Sequence, residues 1–214
     1  MTFSEELKAA SGDQWERVVN HQFTDELANG TIDRKVLTRY LVQDHRFLDS
    51  FVVLLSSAVA KARNLQDRIP GCQFLALITG QENTYFERSL EKLGAGDNTH
   101  IPNAPCTTKL CELMIEVAST GSLGEMLAVI VVCEWSYLSW GERVLPNANR
   151  DDFVTFEWVD LHSGDYFRSV VEYLRGLLDN EGLILDDKGK EACRKRFLET
   201  VQCEENFFNF AYTG

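Results

Sequence analysis

The chain has 214 residues, 44% of them hydrophobic and 25% charged, a balance that supports one sizeable core and excludes a disordered or fibrous protein. The 33 acidic residues outweigh 21 basic ones, for a formal net charge of −12, and no Lys/Arg run offers a track for a phosphate backbone, so nucleic acid is not an expected partner. The longest uncharged apolar run, Leu127 to Cys133, is too short to cross a bilayer, and the charged opening Met1 to Lys8 lacks a signal-peptide core, so a cytoplasmic protein without membrane contact is expected.

In chain order, the first turn signal is Asn29-Gly30. Asp33 then caps a segment opening at Arg34, and Leu37, Tyr40, Leu41, Phe47, Leu48, Phe51 and Leu54 recur along one helical face. Further interruptions are expected at Pro70-Gly71, Gly94 to Pro105, Gly121, Pro146 to Arg150, Ser163-Gly164 and Gly182. Ser122 and Glu125 form a capping box at the start of the most apolar segment. Val129 to Val132 has strand propensity, but the run continues into Glu134-Trp135-Ser136-Tyr137 without a turn signal. That predicts a helix, and one apolar all round belongs at the centre of a bundle. Ser163 or Asp165 opens the next helix, whose buried face is Phe167, Val170, Val171, Leu174 and Leu178. The expected fold is all-α, a single domain over residues 1–214 with about seven or eight helices.

The six cysteines (Cys72, Cys106, Cys111, Cys133, Cys193 and Cys203) lack paired metal spacings, and reduced thiols are expected. The four histidines, His21, His45, His100 and His162, form no close pair of ligands, so neither a metal nor a cofactor is expected.

Three clusters carry acid–base groups in apolar surroundings. In the first, Asp44 interrupts an amphipathic helix and Phe47 follows it on the same face. An acid beside an aromatic suits a flat, nitrogen-rich ligand, while a solvated salt-bridge partner of Arg39 or Arg46 is the plainer reading. In the second, Glu134 follows the most hydrophobic run in the chain, where an ionised carboxylate is costly unless paired or protonated. Tyr137 lies three residues beyond Glu134 and four beyond Cys133; those two neighbours are about 100° apart around the helix, so the two can border one pocket but are not expected to point straight into it together. Taken alone, Cys133 reads as a small core residue. In the third, Glu204 shares a face with Phe207 and Phe208, and composition does not separate it from Glu205.

Together these clusters resemble the TenA family. The matching segments are His21-Gln-Phe23 with Leu27, Gly30 and Ile32; Gln43-Asp44 with Phe47-Leu48; Cys133-Glu134-Trp135-Ser136-Tyr137 with Gly141; Trp158-Val159 with His162-Ser163; and Glu204 followed by Phe207-Phe208. The resemblance implies a haem-oxygenase-like helical bundle and a thiamin-salvage hydrolase that cleaves a C–N bond of an aminopyrimidine. The substrate would be aminomethylpyrimidine, its N-formyl derivative or thiamin. It further implies that Asp44 clamps the amidine edge, that Tyr137 orients the central catalytic group, that Glu204 handles protons near the exocyclic methylene, and that the protein forms a homodimer or homotetramer. One class of the family carries a nucleophilic Cys four residues before the Tyr and the other a Glu three before it; this chain has both, as Cys133 and Glu134. It departs from the pattern at Leu110 and His162, where relatives place tyrosines, and at Phe208, where they place Trp. Two other functions stay open at this stage: an iron- or haem-dependent relative with His21, His45, Glu82 or His162 as ligands, and a non-catalytic ligand-binding or regulatory protein.

Overall fold

In the computed structural model, which describes residues 1–214, every regular element is helical. Eight helices are nine residues or longer: α4 (Arg34–Lys61), α5 (Leu65–Leu77), α6 (Asn83–Leu93), α7 (Pro105–Thr120), α8 (Leu123–Val144), α9 (Phe153–Leu161), α10 (Gly164–Ile184) and α11 (Asp187–Thr213). They match the count expected from the turn signals. Three short helices, α1 (Phe3–Ala10), α2 (Asp13–Val19) and α3 (Gln22–Asn29), come before them, where the sequence signals marked only the break at Gly30.

Local chemistry sets most of the boundaries. The Asp33 carboxylate accepts from Lys35 N at 2.7 Å to open α4, and Ser122 and Glu125 form the reciprocal capping box of α8. Two expected breaks are instead helix interior. Pro70-Gly71 lies within α5 and Gly182 within α10, and the chain breaks at Ala62 to Asn64 and at Leu185-Asp186 instead. These glycines serve close packing: a Cβ on Gly71 would come 2.5 Å from Val59, and one on Gly182 2.5 Å from the Phe3 ring. A proline inside α5 removes one backbone hydrogen bond. Asn64, which caps that helix through Asp67 N at 2.9 Å, supplies a start strong enough to hold it.

Fifty-three buried residues form one contiguous apolar cluster, with α8 at its centre. Met126 to Val132 are each 1% exposed or less, and α8 packs against α4, α10 and α11. By length and composition α8 with the 3₁₀ turn after it would qualify as a membrane span, yet 78% of its most apolar window is buried within the bundle. Its hydrophobicity is that of a core helix surrounded by others.

Gln43 fixes the loop between α6 and α7. Its side-chain amide donates to Pro102 O at 3.0 Å, and its oxygen accepts from Ala104 N at 2.8 Å and from the Thr107 hydroxyl at 2.7 Å. Arg46 adds a bond to Asn98 O at 2.6 Å. One side of α4 therefore holds this loop, which leaves the side bearing Asp44 and Phe47 for the bundle interior.

Candidate active site

Three helices and one irregular turn meet around a small cavity inside the bundle. From α4 come Asp44, Phe47, Leu48 and Phe51, spaced at i, i+3, i+4 and i+7 and so on one face. From α8 come Cys133, Glu134 and Tyr137, and from the end of α9 Trp158 and His162. The fourth wall is a single π turn, Ile78–Glu82, between α5 and α6, and it contributes both of its end residues. Such widened turns recur at functional sites. The Thr79 and Thr84 hydroxyls bond back to Leu75 O and Gly80 O at 2.8 Å and tether it on both sides. The cavity measures about 20 Å³, space for a single water.

The sequence-derived candidates Asp44, Phe47, Cys133, Glu134, Tyr137 and His162 all face this cavity. Cys133 and Glu134, although adjacent on α8, both border it. Glu204 is not among the lining residues; it is 3% exposed on α11, close enough to the Cys133 thiol for the two to influence each other's ionisation. Glu205 points away and pairs with Arg17 at 2.6 Å, so the structure separates two neighbours that composition left equivalent.

Electrostatically the site is a set of carboxyl groups without a counter-charge. Neither Lys nor Arg lines it. Asp44 is 1% exposed, and both of its oxygens are buried without a hydrogen-bond partner. Burial, with Glu82 and Glu204 nearby, pushes its pKa well above the ordinary carboxylate range. The Tyr40 hydroxyl works weakly in the other direction without hydrogen-bonding Asp44; it is engaged with the Tyr137 hydroxyl at 2.7 Å. Burial, then Glu82 and Glu204, likewise raises Glu134. Burial raises Glu204 to about 7, against the lowering influence of the neighbouring Cys133 thiol. Burial and the Glu204 and Glu134 charges push the Cys133 thiol well up, so it rests protonated.

His162 is held neutral. Burial lowers it to about 4, and Nδ1 lies 2.8 Å from Trp158 O, an acceptor only, so Nδ1 carries the proton and Nε2 is left as an acceptor. Its position depends on Gly141, where an added Cβ would come 2.1 Å from His162 O. Gly141→Ala therefore forces α8 and the end of α9 apart. We expect a loss of about 1–3 kcal/mol, seen as an earlier thermal unfolding transition.

Sequence reasoning missed two residues at this site. Trp158, noted only within a motif, is 1% exposed, stacks edge-on with His162 at 4.2 Å and leaves its Nε1 donor unpartnered. Glu82, assigned no role at that stage except as a possible ligand in the metal alternative, stands on the π turn, and burial of its carboxyl raises it to about 8. No sequence pattern announces a π turn, but a lone Glu between two apolar helical faces is a usable signal. The other proposed metal ligands are dispersed. His21 caps α3 through Phe23 N at 3.1 Å, His45 bonds Asn83 at 2.9 Å, and no three His, Cys, Asp or Glu side chains are grouped as a metal site.

A larger cavity of about 600 Å³ opens at the start of α4, lined by Asp33, Arg34, Lys35, Thr38, Arg39 and Ile101 among others. Arg34 and Arg39 are spent on the carbonyls of Lys92 and Ala211. It holds no buried acid–base pair, so its size does not make it the site of chemistry.

Comparison with known proteins identifies the family and the fold. Residues 9–214 match the family model described as the TENA/THI-4/PQQC family. The aminopyrimidine aminohydrolase of Halalkalibacterium halodurans is 27% identical over 216 residues, covering 99% of this chain and 96% of that one. A TenA homologue from Pyrococcus furiosus superposes with a TM-score of 0.89 at 24% identity, covering 98% of this chain and 100% of its own. The heme oxygenase of Leptospira interrogans superposes at 0.69 with 13% identity, covering 98% and 100%, which places the chain in the haem-oxygenase-like fold.

Proposed function

Because the chain belongs to the TENA/THI-4/PQQC family, we propose that it is a thiamin-salvage hydrolase that cleaves the C–N bond between an aminopyrimidine's exocyclic methylene and its leaving group. The observation that carries this reading is Asp44: two buried carboxyl oxygens without partners among aromatic rings. A buried polar group with no partner costs about 1–3 kcal/mol, and a flat amidine edge, offering two adjacent nitrogen sites, would complete it. Similarity to proteins named aminopyrimidine aminohydrolase supports the same substrate class.

In this mechanism Glu204 accepts the Cys133 proton as the sulfur adds to the electron-poor ring. The resting thiol is protonated, so transfer and attack are coupled. The ring's electrons then expel the leaving group from the methylene, an amine gaining one proton from the site as it departs as ammonia, and Glu204 gives up its proton to restore that donor by the end of the cycle. Water adds to that carbon, the S–C bond breaks, and the departing sulfur takes a proton from the water. Tyr137, hydrogen-bonded to Tyr40, keeps the α8 side of the site in place, while Phe47 and the neutral His162 bound the ring. Glu134 as the group that activates water is a second reading, favoured by its placement on the cavity wall. Self-association into a dimer or tetramer belongs to the proposal, supported by Leu183 and Ile184, 83% and 60% exposed. So does a cytoplasmic location, supported by six cysteines that are all free, as a reducing compartment would keep them.

The test is ammonia release from aminomethylpyrimidine. Wild type is expected to release it, with a rate that rises as the pH passes about 7 and Glu204 ionises. Glu204→Gln is expected to lose about 10²–10⁴ in kcat and the acid limb of the profile with it. Full activity in that variant, or none in wild type across amino, formylated and thiamin substrates, would falsify the reading.

A further inference from the structure

Three of the four carboxyl groups at this site are deep: Asp44 is 1% exposed, Glu204 3% and Glu134 9%. Glu82 differs. Its carboxyl is enclosed by protein on the cavity side, yet part of the residue reaches the surface. It is carried not by a regular helix but by the π turn Ile78–Glu82, which the two threonine hydroxyls tether. It has neither an ion pair nor a side-chain hydrogen bond of its own, so nothing in the fold consumes its acid function. Facing it across the cavity are Asp44 from α4, Cys133, Glu134 and Tyr137 from α8, and His162 from α9, none of them positively charged.

From this placement we propose that Glu82 is a further catalytic residue, the acid that protonates the leaving nitrogen; the proposal rests on the hydrolase reading above. As sulfur bonds to the ring, the C–N bond breaks with its electron pair going to nitrogen, and the Glu82 proton joins that nitrogen so that ammonia departs. Water then forms the new C–O bond, its proton goes to the released sulfur, and Glu204 gives up its proton as the Glu82 carboxylate regains one. The balance is amine plus water giving alcohol plus ammonia, with every side chain restored. Burial holds the Glu82 carboxyl at about 8, so it carries its proton at neutral pH, as an acid of this kind requires.

The chemistry supplies its own control. An amine leaves only with an added proton, whereas the thiazole of thiamin leaves as a neutral molecule from a thiazolium cation and needs none. Glu82→Gln should therefore lower kcat for aminomethylpyrimidine about a hundredfold or more and affect thiamin far less, shifting the ratio of the two rates. The alkaline limb of the amine profile, falling above about 8 in wild type, should disappear. Glu82→Asp, which keeps an acid, should recover part of the ratio, and it carries the test if the Gln variant fails to fold. Equal losses on both substrates, or an unchanged ratio and pH profile, overturn the role of Glu82 while leaving the hydrolase reading in place. Absence of wild-type activity on both substrates is instead the failure of that reading.

Discussion

Asp44→Leu is expected to melt at a higher temperature than wild type and to turn over no aminopyrimidine. The wild-type carboxyl is buried with neither oxygen satisfied, and replacing an uncompensated polar group by an apolar one of similar size removes a penalty of about 1–3 kcal/mol. In a chain of this size each kcal/mol moves the midpoint by about 2–4 °C. The effect should also depend on pH. Carboxyl groups raised in the fold bind protons that the unfolded chain has already lost, so they stabilise the native state at low pH and that contribution fades as pH rises. For the cluster the fall runs from about pH 4 through about 7 for Glu204 and about 8 for Glu82. Asp44→Leu removes one member and weakens the repulsion among the others, so its advantage over wild type should be larger at pH 8 than at pH 5. A variant less stable than wild type at both values would mean that Asp44 is satisfied within the fold. Stability given up at a site that binds substrate is a common exchange in enzymes.

Cys133→Ser should abolish turnover while leaving the melting temperature close to wild type, since the two side chains are nearly isosteric and the residue is 4% exposed. A hydroxyl in this acidic setting is far harder to deprotonate than a thiol, and loss of a nucleophile costs roughly a thousandfold or more in kcat. Glu134→Gln, measured on the same substrates, should retain most of the activity. The reverse pattern, an active Cys133→Ser and an inactive Glu134→Gln, would transfer the central step to the carboxylate. Both side chains border the cavity, so the comparison reports on chemistry and not on which residue faces inward.

The bundle was legible in the sequence wherever one physical signal acted without competition. The apolar periodicity of α4 and α10, the Asp33 cap and the Ser122–Glu125 box all lie where their residues dictate. The sequence misled at Pro70-Gly71 and Gly182, because a glycine that breaks an isolated helix also admits a neighbouring chain, and tertiary packing made the second use decisive. The motifs of α4, α8 and α9 brought Asp44, Cys133, Glu134, Tyr137 and His162 to one place. Glu82 was given no place in the hydrolase site because its position depends on a local widening of the backbone that no periodicity encodes. Glu204 and Glu205 were indistinguishable as residues, and only the neighbours of α11, Cys133 on one side and Arg17 on the other, tell them apart.

The dimensions of the central cavity bear on the time course of binding. A space that fits one water receives a planar heterocycle only after the Phe47 and Phe51 rings on one wall and the π turn on another have separated, so encounter and accommodation are distinct events. Association should be slower than diffusion sets, and the observed rate should level off with rising ligand concentration at the frequency of that separation. Affinity is reduced by the fraction of time the walls spend closed, so a substitution that loosens Phe47 or Phe51 can tighten apparent binding without adding a single contact to the ligand.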